Sequence, residues 1–187
     1  MNADPEEEAL HLRVVPSMRE LETGFRSLDP VLLADAPFLR FEWLDALERT
    51  GCVEAARGWL PHHLALYRGE KLLAAAPAYL KSHSEGEFVF DFSWANAASR
   101  FGVEYYPKLL ISVPFTPATG PRLLSAPGVD RSLVTRAFGA GIQRVVEHTE
   151  LSSAHVLFPT EAEANALEAE GMLHRVGVGR CCTRAQQ

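Results

Sequence analysis

The alternation of apolar and polar positions divides the chain into short elements whose period changes several times. Leu10 to Val15 alternates as a strand does. Ser17-Met18-Arg19-Glu20 reads as a capping box that opens a helix. Met18, Leu21, Phe25 and Leu28 recur at helical spacing, and Asp29-Pro30 ends that segment because proline pushes the preceding residue out of the helical region. A second helix is predicted after Asp35, with an apolar stripe of Phe38, Phe41, Leu44 and Leu47 and a left-handed exit at Gly51. The period then becomes extended. His62 to Arg68 and Lys71 to Lys81, joined by Gly69-Glu70, predict a hairpin, and Glu87 to Phe92 predicts a strand with three phenylalanines on one face. Trp94 to Gly102 fits a short helix and Lys108 to Val113 a further strand.

Pro114, Pro117, Pro121 and Pro127 confine the stretch from Pro114 to Gly128 to turns and short extended pieces, since proline lacks a ladder donor. Val129, Leu133, Ala137, Phe138, Ile142 and Val146 then mark the most clearly amphipathic helix of the chain. Ala154 to Phe158 reads as a buried strand, Thr160-Glu161-Ala162-Glu163 as a second capping box, Gly171 as a helix stop, and Met172 to Val178 as a last strand. The later strand–helix–strand section implies a parallel pair joined by a crossover. This order describes an α/β (α+β) domain over residues 10–178, with an acidic tail at 1–9 and a polar tail at 179–187.

Composition narrows the function classes. A net charge of -6 and a pI near 5.6 give no general attraction to nucleic acid or anionic lipid. The start lacks the features of a secretory signal, and the longest apolar run, Leu72 to Leu80, contains Pro77 and is too short to span a bilayer. A soluble, cytoplasmic protein is expected. Cys52, Cys181 and Cys182 have no metal-ligand spacing and read as free thiols, with Cys52 packed at a helix end. No metal site is expected.

Five ordered blocks carry a family resemblance: Pro37-Phe38-Leu39, Gly58-Trp59-Leu60-Pro61, Pro77 through Asp91, Tyr105-Tyr106-Pro107-Lys108-Leu109, and Val113-Pro114-Phe115-Thr116-Pro117-Ala118-Thr119-Gly120-Pro121-Arg122-Leu123-Leu124. Over about residues 35 to 175 the chain resembles the FemAB-like N-acyltransferases of the GNAT superfamily. The resemblance implies a GNAT-like mixed sheet flanked by helices. It also implies transfer of an acyl or aminoacyl group to an amine, on a peptidoglycan precursor in the Fem-type relatives, from acyl-coenzyme A or aminoacyl-tRNA. Such proteins carry two GNAT-like halves, so the chain is expected to be an N-terminal half lacking a C-terminal partner domain and inactive alone. It would then self-associate or expose an apolar patch of residues such as Phe88, Phe90, Trp94 and Phe115.

Acyl transfer from coenzyme A needs a pyrophosphate cradle at a helix start. Arg136, Gly139 and Gly141 match the expected spacing, but the unbroken apolar stripe from Val129 to Val146 places these glycines inside a helix, where they would serve close packing. Lys81, His83 and Glu85 put a cation, a base and a carboxylate in one polar break, which reads either as a binding loop or as a solvated strand connection. Tyr106, Lys108 and Arg122 could present hydroxyl, ammonium and guanidinium groups to a substrate, or could cap a rigid connection. No residue is singled out as catalytic. The alternative function is a non-catalytic module that binds a peptide, a precursor or a partner.

Overall fold

A computed structural model describes residues 9–28, 35–89, 91–177 and 180–185, the stretch from 176 onward by its backbone course alone. Two sheets form. The first has the order β1 (Leu10–Val15), β3 (His63–Arg68), β4 (Lys71–Ala76) and β7 (Leu124–Ser125), all antiparallel. The second has the order β2 (Trp59–Pro61), β5 (Ala78–Lys81), β6 (Lys108–Ile111), β8 (Ala154–Leu157), β10 (Arg180–Ala185) and β9 (Leu173–Gly177). In it β6 and β8 run parallel, with Leu110 opposite His155.

The predicted hairpin is present, but Pro77 divides its second arm between the two sheets. Proline donates no ladder hydrogen bond, and the chain bends there from β4 into β5, while the Pro77 carbonyl accepts from the Ser112 amide. The segment read as a polar tail supplies β10, which lies between β8 and β9 and pairs with both. The parallel relation of β8 and β9 is therefore made through a strand between them.

Among the described helices are α1 (Glu22–Phe25), α2 (Phe41–Arg49), α3 (Phe92–Arg100), α4 (Arg131–His148) and α5 (Glu161–Ala169). Val134, Phe138, Ile142 and Val146 of α4 pack on Leu64, Leu66, Ala76, Leu109, Ile111 and Val156 of the sheets. Met18, Leu21, Phe25, Phe41 and Leu44 form a second core with Ala65, Ala75 and Leu124. A third core joins Trp59, Tyr79, Leu110, Leu157 and Phe158.

The expected strand from Glu87 to Phe92 does not form. Phe88 has φ 58, and the chain turns so that Glu87 and Asp91 reach inward to Lys108, after which α3 begins. Phe88, Phe92, Trp94, Phe101 and Phe115 are exposed, while Phe90 lies outside the described residues. The second predicted helix starts later than expected: Pro37–Leu39 is a 3-10 turn, Arg40 is extended, and Phe38 is exposed rather than in the core. Cys52 is exposed, not packed; Cys181 and Cys182 belong to the stretch described by backbone alone. No described helix is long and apolar enough to cross a membrane.

Both predicted capping boxes form only in half. Ser17 accepts from the Arg19 amide and Thr160 from the Glu163 amide, as a capping residue should. The returning carboxylate is different in each case. At the first, Glu48 of α2 rather than Glu20 takes the Met18 amide at 3.0 Å, the Ser17 hydroxyl at 3.1 Å and His63 Nε2 at 2.8 Å. His63 Nδ1 accepts the Ala78 amide at 3.2 Å, so the ring proton sits on Nε2 and is donated to Glu48. Glu48 thus links the first helical turn, α2 and the centre of both sheets. Glu48→Ala leaves the fully buried His63 ring and the Met18 amide without their partner, and is expected to cost about 2–4 kcal/mol in urea unfolding. Glu48→Gln, which keeps an acceptor, should recover part of that loss.

Candidate functional site

The site begins with a row of residues across three strands. In the register of β2, β5 and β6, Trp59 stands opposite Lys81 and Lys81 opposite Lys108. Two lysines facing each other across a ladder repel, and both are fully buried. Lys81 lies with Nζ 3.7 Å from the centre of the Trp59 ring and donates to the Glu85 carbonyl at 3.1 Å. Lys108 donates to Asp91 Oδ2 at 2.6 Å, to Glu87 Oε2 at 2.9 Å and to Ser84 Oγ at 3.3 Å. The Tyr105 hydroxyl adds a bond to Asp91 at 2.8 Å, and Ser84 bonds both Asp91 and Tyr106.

The loop from Ser82 to Asp91 exists in this shape because it must deliver two carboxylates to one ammonium. Burial pushes the Asp91 carboxyl up, but Lys108, Ser84 and Tyr105 together hold it below its ordinary value. Glu87 goes the other way, raised first by burial and also by Asp91 against the pull of Lys108 and Lys81, and its Oε1 has no hydrogen-bond partner among the described residues. Burial also brings Lys81 down to about 8, with Glu87 opposing and Lys108 reinforcing the shift. Tyr106 is pushed up to about 12, first by burial.

Above this cluster opens a cleft of about 420 Å³ between the 47–59 region and the 83–86 turn. Trp59 and Phe115 are its aromatic walls, with ring centres 5.3 Å apart, and Arg57, His83 and Glu85 are its polar groups. His83 Nδ1 accepts the Glu85 amide at 3.2 Å, which places the proton of a neutral ring on Nε2. Two glycines set the shape. Gly58 has φ +71, and a Cβ there would stand 2.2 Å from His83 Nε2; at Gly86, with φ +80, a Cβ would meet Phe115 at 2.7 Å.

Of the residues singled out in the sequence, Lys81, His83, Glu85, Tyr106 and Lys108 come together here, the two lysines beneath the cleft and not in its wall. Arg122 does not join them. It is 1% exposed, and its guanidinium donates to the carbonyls of Leu157 (2.7 Å), Ala118 (2.6 Å) and Pro121 (3.0 Å). Burial brings it down to about 10, with Glu163 opposing, and its donors are spent on the backbone rather than offered to a ligand. Arg136, Gly139 and Gly141 lie in the interior of α4, where the backbone amides are bonded within the helix. A Cβ on Gly139 would approach Glu170 to 2.9 Å and one on Gly141 would approach Leu12 to 2.2 Å, so close packing explains both glycines. Glu87 and Asp91 alternate with phenylalanines as a strand would, and only the turn at Phe88 brings them to Lys108, where Ser84 and Tyr105 join them.

The FemAB-like family, described as peptidoglycan biosynthesis/recognition, matches residues 23–183. The chain belongs to the FemAB-like family. Its fold is that of GNAT acetyltransferases. It is similar to a putative arylalkylamine N-acetyltransferase of the mosquito Aedes aegypti, with TM-score 0.56 and 12% identity over 98% of this chain and 91% of that one. It is also similar to the PaiA N-acetyltransferase of Thermoplasma acidophilum, solved with coenzyme A, with TM-score 0.53 and 10% identity over 96% and 99%. An agmatine N-acetyltransferase gives TM-score 0.53 and 13% identity over 95% and 99%. No curated protein matches the FemAB-like chain.

Lys108→Met removes the cation from two buried carboxylates and is expected to cost about 3–5 kcal/mol in urea unfolding. Adding Glu87→Gln and Asp91→Asn should recover much of that loss, because no uncompensated charge remains. Lys81 is expected to report on itself through Trp59. In a Trp43→Phe/Trp94→Phe background, Trp59 emission should change with a midpoint near pH 8, and Lys81→Met should abolish the change. Because the folded Lys81 releases its proton below the ordinary lysine value of 10.5, stability should rise with pH between about 8 and that value. Lys81→Met should lack this rise.

Proposed function

We propose that this FemAB-like domain works in N-acyl transfer as the part that receives the amine, the acceptor being a peptide-like amine of the kind carried by peptidoglycan precursors. The observation that carries this reading is the cleft over Trp59, a single space lined by Trp59, Phe115, Glu85 and Arg57, the Arg57 guanidinium also lying 3.5 Å from the exposed Glu54 carboxylate. A peptide carries an ammonium at a free amine and a carboxylate at its C-terminus or on an acidic side chain. Glu85 suits the first and Arg57 the second, while Trp59 and Phe115 exclude water from the stem between them.

An amine must lose a proton before it can attack a carbonyl. With Nδ1 accepting the Glu85 amide, His83 offers a donor at Nε2, which leaves the Glu85 carboxylate as the acceptor group of the cleft. The lysine–carboxylate cluster beneath holds the Ser82–Asp91 loop and hence the position of His83 and Glu85. A second reading, a module that binds the peptide without chemistry, is favoured by the burial of both lysines below the cleft floor.

Calorimetry with peptidoglycan stem peptides tests the reading. Wild type should bind them, N-acetylation of the free amine should weaken binding, and Arg57→Ala or Glu85→Ala should each cost about three- to tenfold in affinity. Absence of binding, or binding indifferent to both substitutions, would sink the assignment of the cleft. Turnover assays separate the two readings: the isolated chain is expected to release no product with acyl-coenzyme A or aminoacyl donors, and robust turnover would make it a self-sufficient enzyme.

A further inference from the structure

A mixed α/β sheet takes ligands outside the carboxyl ends of its parallel strands, and a helix N-terminus beside them favours an anion. In this chain that place lies past Ile111 of β6 and Leu157 of β8, next to the start of α4. The GNAT fold implies a coenzyme A thioester as donor, whose pyrophosphate would require free amides and unpaired positive charge there.

The residues present do not fit that requirement. β6 and β7 occupy successive positions along the β4–β5 edge, and residues 112–123 intervene between them. This intervening segment turns back over the end of β8. The Gly120 amide donates to the Phe158 carbonyl at 3.1 Å and Arg122 Nε to the Leu157 carbonyl at 2.7 Å. Glu163, in the first turn of α5, then takes the Arg122 amide at 2.9 Å and the Leu123 amide at 3.0 Å. It is 5% exposed and also lies 3.7 Å from Arg131, the first residue of α4. Asp130 accepts the Ser132 amide at 2.9 Å. A pocket of about 300 Å³ remains beside Leu123, Arg131, Thr135 and Glu163. At and beside this pocket the Arg131 guanidinium faces the Glu163 carboxylate, and carboxylates hold the Arg122, Leu123 and Ser132 amides.

We infer that Glu163 is a built-in anion at this end of the sheet, sealed in by the segment from Ala118 to Arg122, so that the domain excludes phosphate-bearing acyl donors, coenzyme A thioesters included. The donor carbonyl must then be presented to the amine cleft from a surface other than this one. The inference concerns the donor side alone and can fail while the amine cleft stands.

Amide-resolved NMR titration of the wild-type chain with coenzyme A, acetyl-coenzyme A and pyrophosphate provides the test. No saturable shift is expected at the amides of Gly120, Arg122 and Leu123 or of residues 131–135 up to about 1 mM ligand. Saturable binding that moves those amides would overturn the inference, whatever the stem peptides do at Trp59. Thermal unfolding of Glu163→Gln gives a second measurement. Loss of the charge that holds the Arg122 and Leu123 amides should lower the melting temperature by several degrees, and an unchanged value would show that the carboxylate does not secure the segment.

Discussion

Lys81 and Lys108 face each other, fully buried, across the β5–β6 ladder, and much of the molecule around them is arranged to make that juxtaposition tolerable. One ammonium is placed on the Trp59 ring and a backbone carbonyl, the other among Glu87, Asp91 and Ser84. The Ser82–Asp91 loop must fold inward to bring the acids, which removes it from the sheet, gives Phe88 its positive φ and starts α3 directly after Asp91. The same loop carries His83 and Glu85 to the cleft. Charge neutralisation inside the domain and the shape of its candidate binding surface are therefore one construction.

A related principle operates at two other places. Glu48 and Glu163 each supply a carboxylate to backbone amides far away in sequence, at Met18 and at Arg122–Leu123. A carboxylate that accepts two or three hydrogen bonds offsets its burial, and each of these ties a helix to a segment that would otherwise have open amides. In an acidic chain of net charge -6, internal carboxylates do the work that bound anions or local caps could have done. At the end of the parallel pair this leaves little electrostatic attraction for a phosphate.

The family match places the domain among the FemAB-like proteins, and its fold is that of GNAT acetyltransferases. Within that fold the structure is asymmetric. One face of the second sheet carries an open cleft with aromatic walls and both charge signs, whereas the carboxyl ends of the parallel pair are closed by the proline-rich segment. Arg122 belongs to the closed side. Its three backbone carbonyl partners make it a staple of the proline-rich segment rather than a hand held out to a ligand.

Local periodicity and turn chemistry in the sequence were enough to determine the hairpin, the long amphipathic helix and the buried strand after it, because each depends on residues near one another in the chain, and ordered motif blocks carried the family resemblance. They also sufficed to place Gly139 and Gly141 inside a helix, and to bring Lys81, His83, Glu85, Tyr106 and Lys108 forward as polar groups beside apolar strands. Only the tertiary structure decided which carboxylates answer the two lysines, since Glu87 and Asp91 alternate with phenylalanines as a strand would until long-range charge pairing overrides that local preference. It likewise decided that Glu48 stands where Glu20 was expected, that Glu163 reaches out to the Arg122 and Leu123 amides, that Arg122 turns inward, and that the polar segment from Arg180 to Ala185 becomes a strand between two others. Hydrophobic spacing is written residue by residue, but the partner of a buried charge is chosen by whichever opposite charge the folded chain can bring within hydrogen-bonding distance.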